Sequence, residues 1–125
     1  MKKLITSLLL VCCFAISFGQ KGERIESLKV AFISEKLNLD AKTAEKFWPV
    51  YNQYEGEMRS FMQQMRKGKD DMTAEDMLEK EQKALDIKKK YAPQFLKIIS
   101  NDQLSNLYIA EKDFRRMVMK RARNN

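Results

Sequence analysis

The chain has no histidine, and its two cysteines, Cys12 and Cys13, both lie in the first nineteen of 125 residues. Beyond that stretch there is no thiolate nucleophile, no disulfide and none of the His and Cys donors from which zinc sites are usually built. There are four glycines and two prolines in all, and no segment alternates apolar and polar residues with period two, so strands have little support. No Gly-rich phosphate loop and no nucleophile elbow is present. Acid and base chemistry would fall to carboxylates alone on a small scaffold, and Asp70, Asp71, Glu75 and Asp76 read more simply as acids complementing a helix dipole. The composition points away from an enzyme, a bound cofactor or a structural metal.

No apolar run is long enough to span a bilayer. The longest, residues 4–16, follows Lys2 and Lys3 and ends in Ser17, Phe18 and Gly19, and about twenty residues would be needed to cross. This is the layout of a secretory signal peptide covering residues 1–19 and cut before Gln20. Val11 precedes Cys12, where lipid attachment wants a small residue. The expected product is an exported single domain, residues 20–125, whose modest core would gain from self-association.

The formal charge is +7, of which Lys2 and Lys3 carry two. Of the remaining +5, all is accounted for by Arg115, Arg116, Lys120, Arg121 and Arg123, since residues 114–125 contain no acid. An exported chain with a basic end meets acidic polypeptides or an anionic membrane surface before it meets nucleic acid.

Helical periodicity dominates what is present. In residues 37–65, Ala44, Phe47, Tyr51, Tyr54, Met58, Phe61 and Met65 recur at steps of three and four, the spacing of one helix face. Asp40 is placed to cap this helix, which we expect from residue 41 to about 67, bent at Pro49 and ended by a polar turn around Gly68. A preceding helix over residues 23–37 shows Ile25, Leu28, Phe32 and Leu39, widened by Ala31 and Ile33, with Asn38 loosening its end. Thr73 and Asp76 cap a third helix, whose face is read as Met77, Leu78, Leu85, Ala92, Phe95, Leu96 and Ile99, with a charged exposed middle and a bend at Pro93. Ser100 and Gln103 form a Ser-x-x-Gln capping box for a fourth, with Leu104, Leu107, Tyr108, Phe114 and Val118 on its face. The fold class is all-α.

The stretch Ile99, Ser100, Asn101, Asp102, Gln103 resembles the Leu-Thr-x-x-Gln motif of the periplasmic Spy/CpxP family, with Ile for Leu and Ser for Thr. Leu39, Asp40, Ala41, Lys42, Thr43 is similar in position, with Asp where Thr is usual and Thr where Gln is usual. EKLNLDAKTAEKFWPVYNQY is also similar to small exported helical proteins of the Bacteroidetes group. The resemblance implies a four-helix hooked hairpin that dimerises into a shallow cradle in the periplasm. It further implies an ATP-independent chaperone for unfolded envelope proteins, or alternatively a regulator of an envelope-stress sensor that binds a membrane-protein partner.

For partner contact the candidates are Lys88, Lys89, Lys90, Arg115, Arg116, Lys120 and Arg121, with Phe61, Met62 and Met65 as apolar contacts. Met58, Met62 and Met65 share one helix face, and thioethers favour Cu(I), which gives a copper-sensing alternative. A stripe of methionine and aromatic residues is more often core or an adaptable surface. Trp48, beside Pro49, is expected in the core rather than at a binding hot spot.

Overall fold

The computed structural model describes residues 20–66 and 71–125. The signal-peptide expectation for residues 1–19 and the turn at Gly68 lie outside the described residues. Four helices follow one another: α1 Gln20–Leu37, α2 Ala41–Arg66, α3 Ala74–Leu96 and α4 Asn101–Asn124. Among the described residues there is no strand, and no helix is long and apolar enough to cross a membrane.

Each expected cap is formed. The Asp40 carboxylate accepts from the Thr43 N–H at 2.7 Å, and its carbonyl accepts from Ala44 N–H. Hydrogen bonding from Thr43, chiefly its backbone N–H and then its side chain, holds the Asp40 pKa below the ordinary carboxylate value. Thr73 with Asp76, and Ser100 with Gln103, form reciprocal capping boxes. The side chain of each capping residue accepts from the N–H of the third helical residue, which has no helical partner, and that residue's side chain accepts in return from the capping residue's N–H.

Asn38 does not loosen α1; it ends it sharply. Its φ is 52°, in the left-handed region that asparagine tolerates better than most residues. Asn38 N–H then donates to Glu35 O and Leu39 N–H to Ser34 O, the paired bonds of a Schellman ending. The chain reverses within three residues into α2.

The core is aromatic and is centred on α2. Phe47, Tyr51 and Tyr54 are fully buried, joined by Tyr91 and Phe95 of α3, Ile33 and Leu37 of α1, and Leu104, Leu107 and Ala110 of α4. Phe47 meets Phe95 at 5.6 Å between ring centroids and Tyr54 meets Tyr91 at 5.8 Å. Trp48 is half-buried with its edge on Phe47 and Tyr51, packed on this core as expected. Helix α1 packs along α4, α2 along α3, and α3 touches α4.

Both prolines are accommodated inside continuous helices. Pro49 and Pro93 are exposed, so water can hydrate the Glu45 and Lys89 carbonyls that lose their helical donors.

Two apolar faces differ from the sequence expectation. On α1 the buried residues are Ile33 and Leu37, while Ile25 and Leu28 are exposed and Phe32 and Leu39 are half-buried. On α3 the buried pair is Tyr91 and Phe95, with Ile87 packed beside them, and Met77, Leu78, Leu85 and Leu96 face outward. The aromatic rings on α2 select the opposing aromatic pair on α3, because those side chains bury more apolar area than the competing leucines. Tyr91 and Ile87 were the missing part of that pattern.

Candidate functional site

Among the described residues a groove of about 620 Å³ is formed by α1, α2 and α4. Ligand sites commonly occupy roughly 300–1,000 Å³, so its size is sufficient for several large side chains. Its apolar lining comes from three helices: Ile25 of α1, Met58 and Met62 of α2, and Phe114, Val118 and Met119 of α4. Helices α1 and α4 run antiparallel here, with Phe32 and Phe114 in ring contact at 5.7 Å.

The polar part of the groove is ordered by a short network. Lys29 is ion-paired with Glu55, and Arg59 Nη2 reaches Glu55 at 3.0 Å and Glu26 at 3.2 Å. Glu111 of α4 accepts from the Tyr54 hydroxyl at 3.1 Å and more weakly from Tyr51 at 3.4 Å. Burial pushes the Glu111 pKa up, opposed by the Tyr54 hydrogen bond and by Lys29, Lys88 and Arg115. Burial, followed by the Glu111 charge, raises both tyrosine pKa values far enough that these hydroxyls stay protonated as donors. Arg66 and Arg115 also line the groove and have no ion-pair partner among the described residues. The result is a soft apolar trough with a largely compensated interior and two cations, Arg66 and Arg115, outside its ion pairs.

The residues singled out from sequence are distributed over several places. Met62 and Arg115 line the groove. Phe61 lines a shallower cleft of about 410 Å³ between α2 and α3, with Glu57, Lys83 and Ile87. Met65 is half-buried and lines neither. Lys88 lies over the Tyr108 ring at 5.1 Å, and Lys90 is held at 3.0 Å by Glu57, which also accepts from Tyr91 at 2.7 Å. Lys89 is exposed on α3, and Arg116, Lys120 and Arg121 are exposed along the last turns of α4. The basic end is helical to Asn124.

Met119 and Glu111 were not anticipated. The signal for Glu111 was there to find, since Leu107, Glu111, Phe114 and Val118 share one face at steps of four, three and four, which puts an acid in an apolar stripe. The thioethers brought to the groove are Met58, Met62 and Met119, not Met65. Four cations, Lys29, Arg59, Arg66 and Arg115, and three acids, Glu26, Glu55 and Glu111, border the same space. Among the described residues no group of three or more His, Cys, Asp or Glu side chains could hold a metal ion. No family model, curated protein or solved structure matches the chain.

Proposed function

We propose that the protein is an ATP-independent, chaperone-like binder of unfolded or misfolded envelope polypeptides, acting in the periplasm through the groove between α1, α2 and α4. The observation that carries this reading is the convergence of Ile25, Met58, Met62, Phe114, Val118 and Met119 on one open trough edged by Arg66 and Arg115. Methionine side chains are flexible and polarisable, so they adapt to apolar side chains of different shape, which suits a surface that must hold many sequences weakly. The exposed cations of α4 draw in acidic segments at long range, and the trough holds an apolar side chain once contact is made. The resemblance of Ser100 to Gln103 to the Spy/CpxP motif supports the same assignment.

A second reading is a regulator that binds one membrane-protein sensor. The feature favouring it is the run Arg115, Arg116, Lys120, Arg121 and Arg123 on a single exposed helix end, a compact basic face suited to one acidic partner or an anionic membrane surface.

The test is suppression of aggregation of an unrelated acidic protein unfolded by denaturant dilution. Suppression is expected, weakening from low to physiological salt as screening shortens the electrostatic reach. Replacing Met62 and Met119 together by Gln lowers it at every salt concentration; Arg66→Glu with Arg115→Glu lowers it mainly at low salt. No suppression by the wild-type chain, together with saturable binding to a single envelope sensor, transfers the assignment to the regulator. Suppression that survives both sets of substitutions removes the groove from the mechanism.

A further inference from the structure

Every methionine after Met1 falls in residues 58–77 or 117–119. These are the last turns of α2, the start of α3 and the last turns of α4. Contacts of Lys29 with Glu55, Glu57 with Lys90 and Phe32 with Phe114 set the paired helices antiparallel, which brings the methionines to the same end of the bundle. Residues 20–125 contain no cysteine, so thioethers are the side chains that a peroxide attacks first. Three of them, Met58, Met62 and Met119, line the groove. Met58 is half-buried and packs on the aromatic core. Met119 is 63% exposed, and Met62 is half-buried but lies outside the core cluster. These two are the groove sulfurs open to a dissolved reagent.

Each of these two sulfurs has an unpaired guanidinium one helical turn away. Arg66 follows Met62 by four residues on α2, and Arg115 precedes Met119 by four on α4, a spacing that sets Cβ atoms about 5–6 Å apart on one helix face. Both arginines are exposed, line the groove and have no ion-pair partner among the described residues. Arg59, three residues before Met62, is by contrast held by Glu55 and Glu26. A thioether is a weak acceptor and gives a guanidinium little to bind. A sulfoxide oxygen is polar and accepts well, so oxidation makes hydrogen-bond partners of groups that are otherwise only neighbours.

We propose that Met62 and Met119 are a paired oxidation site, and that their sulfoxides, held by Arg66 and Arg115, close the groove to apolar side chains. The co-reactant is a peroxide. A sulfur lone pair attacks one peroxide oxygen, the S–O bond forms as the O–O bond breaks, and the proton of the transferred oxygen passes to the departing hydroxide to give water. The sulfur is oxidised by two electrons and the peroxide is reduced by the same two. Arg66 on α2 and Arg115 on α4 then donate to the new oxygens and hold polar groups over the trough from two of its walls. An apolar side chain entering the trough would have to desolvate a sulfoxide, and the same guanidiniums are engaged when a client carboxylate arrives. Oxidation therefore acts on the apolar and the cationic half of the site together. As a control on binding this rests on the client-binding reading of the groove, but closure of the groove is measurable without a client.

The experiment exposes the folded chain to hydrogen peroxide, locates the added oxygen by mass spectrometry of its peptides and checks by circular dichroism that the helices remain. Aggregation suppression and affinity for the neutral apolar dye Nile red are then read as ratios of oxidised to untreated protein. Oxygen is expected on Met62 and Met119 with the helices intact, and dye affinity should fall by about tenfold, as contact with a poorly compensated polar group implies. Suppression should fall with it, and methionine sulfoxide reductase should restore both. In Met62→Leu with Met119→Leu, whatever the starting affinity, the ratio should stay near one. Met77→Leu, which removes a similarly open sulfur outside the groove, should leave the loss in place. In Arg66→Gln with Arg115→Gln, oxidation should cost less, because the sulfoxides are free to turn out to water. An oxidised wild-type chain that keeps its dye affinity overturns the proposal, as does an equal loss in the leucine chain, or a chain whose Met62 and Met119 resist while Met77 is oxidised. An equal loss in the glutamine chain overturns the part given to the arginines. Failure of the untreated chain to suppress aggregation refutes the client-binding reading alone, and the dye ratio still decides whether oxidation closes the groove.

Discussion

Gln103 and Leu37 are 66 positions apart in the chain and are joined by one hydrogen bond, from Gln103 Nε2 to the Leu37 carbonyl at 3.0 Å. The same side chain accepts from the Ser100 N–H through its Oε1 at 2.9 Å. One amide therefore closes the start of α4 and the end of α1 together. The Schellman ending at Asn38 uses the Ser34 and Glu35 carbonyls, which leaves that of Leu37 for a partner outside α1.

The two roles of Gln103 can be separated by substitution. Gln103→Glu keeps an acceptor for Ser100 N–H and loses the donor to Leu37, so it should cost about 1–3 kcal/mol through an unsatisfied carbonyl. Gln103→Ala should cost more than Glu, and Ser100→Ala about 1 kcal/mol. Urea unfolding monitored by circular dichroism gives the ranking. A fully tolerated Gln103→Glu would show that water replaces the amide at Leu37.

Gly56 lies inside α2, and a Cβ placed on it meets nothing within 4 Å. Gly56→Ala should stabilise the chain by about 0.5–1 kcal/mol, because the unfolded backbone loses freedom and the folded one loses no contact. A rise in thermal midpoint is the expected readout.

Phe47 is fully buried and its ring touches those of Trp48, Tyr51 and Phe95. Phe47→Ala should cost about 3–5 kcal/mol, through lost transfer energy and the cavity left at the junction of α2 and α3. Under dilute conditions Leu78→Ala should change stability by less than about 0.5 kcal/mol, as an exposed site does. Chemical denaturation of both variants at low protein concentration tests the contrast.

Glu111 should impose its own pH dependence. Burial raises its folded pKa above the ordinary value of 4.5, so the folded state holds its proton more tightly than the unfolded chain. Its contribution to stability is complete below that ordinary value and is lost as pH rises through the folded pKa. Glu57 works in the opposite sense: the Tyr91 and Lys90 hydrogen bonds lower its pKa, and its contribution is lost as pH falls through that lowered value. Glu111→Gln should flatten the decline of stability above pH 4.5, leaving the acid limb in place. An unchanged pH profile in that variant would mean that the Glu111 carboxyl is as well hydrated in the folded chain as in the unfolded one.

How far the architecture could be read in advance follows the range of the interaction involved. Caps depend on residues three apart, so Asp40, Thr73 and Ser100 with Gln103 were readable as helix starts. The long face of α2 was readable because Ala44 and six large side chains keep one phase and the burial of Phe47, Tyr51 and Tyr54 follows. The faces of α1 and α3 were harder, since each helix carries two apolar stripes and periodicity cannot rank them. Ile25, Leu78 and Leu85 were assigned inward on spacing that Ile33, Leu37 and Tyr91 satisfied better in three dimensions. The candidate site was the least legible part: Met62 and Arg115 were named and Glu111 sits in a readable apolar stripe of α4, but Met119 joins them only through the antiparallel packing of α1 on α4.

By itself the sequence determined that this chain is helical, where three of its four helices are capped, and which side of α2 is covered, because those outcomes rest on hydrogen bonds and contacts within about one turn. Only the tertiary structure decided which of two competing stripes α1 and α3 would bury, that Gln103 ties α4 to the end of α1, and that a methionine-lined groove opens between helices distant in the chain. Those outcomes depend on which large aromatic surfaces find each other across the core, a competition between whole helix faces that no local spacing records.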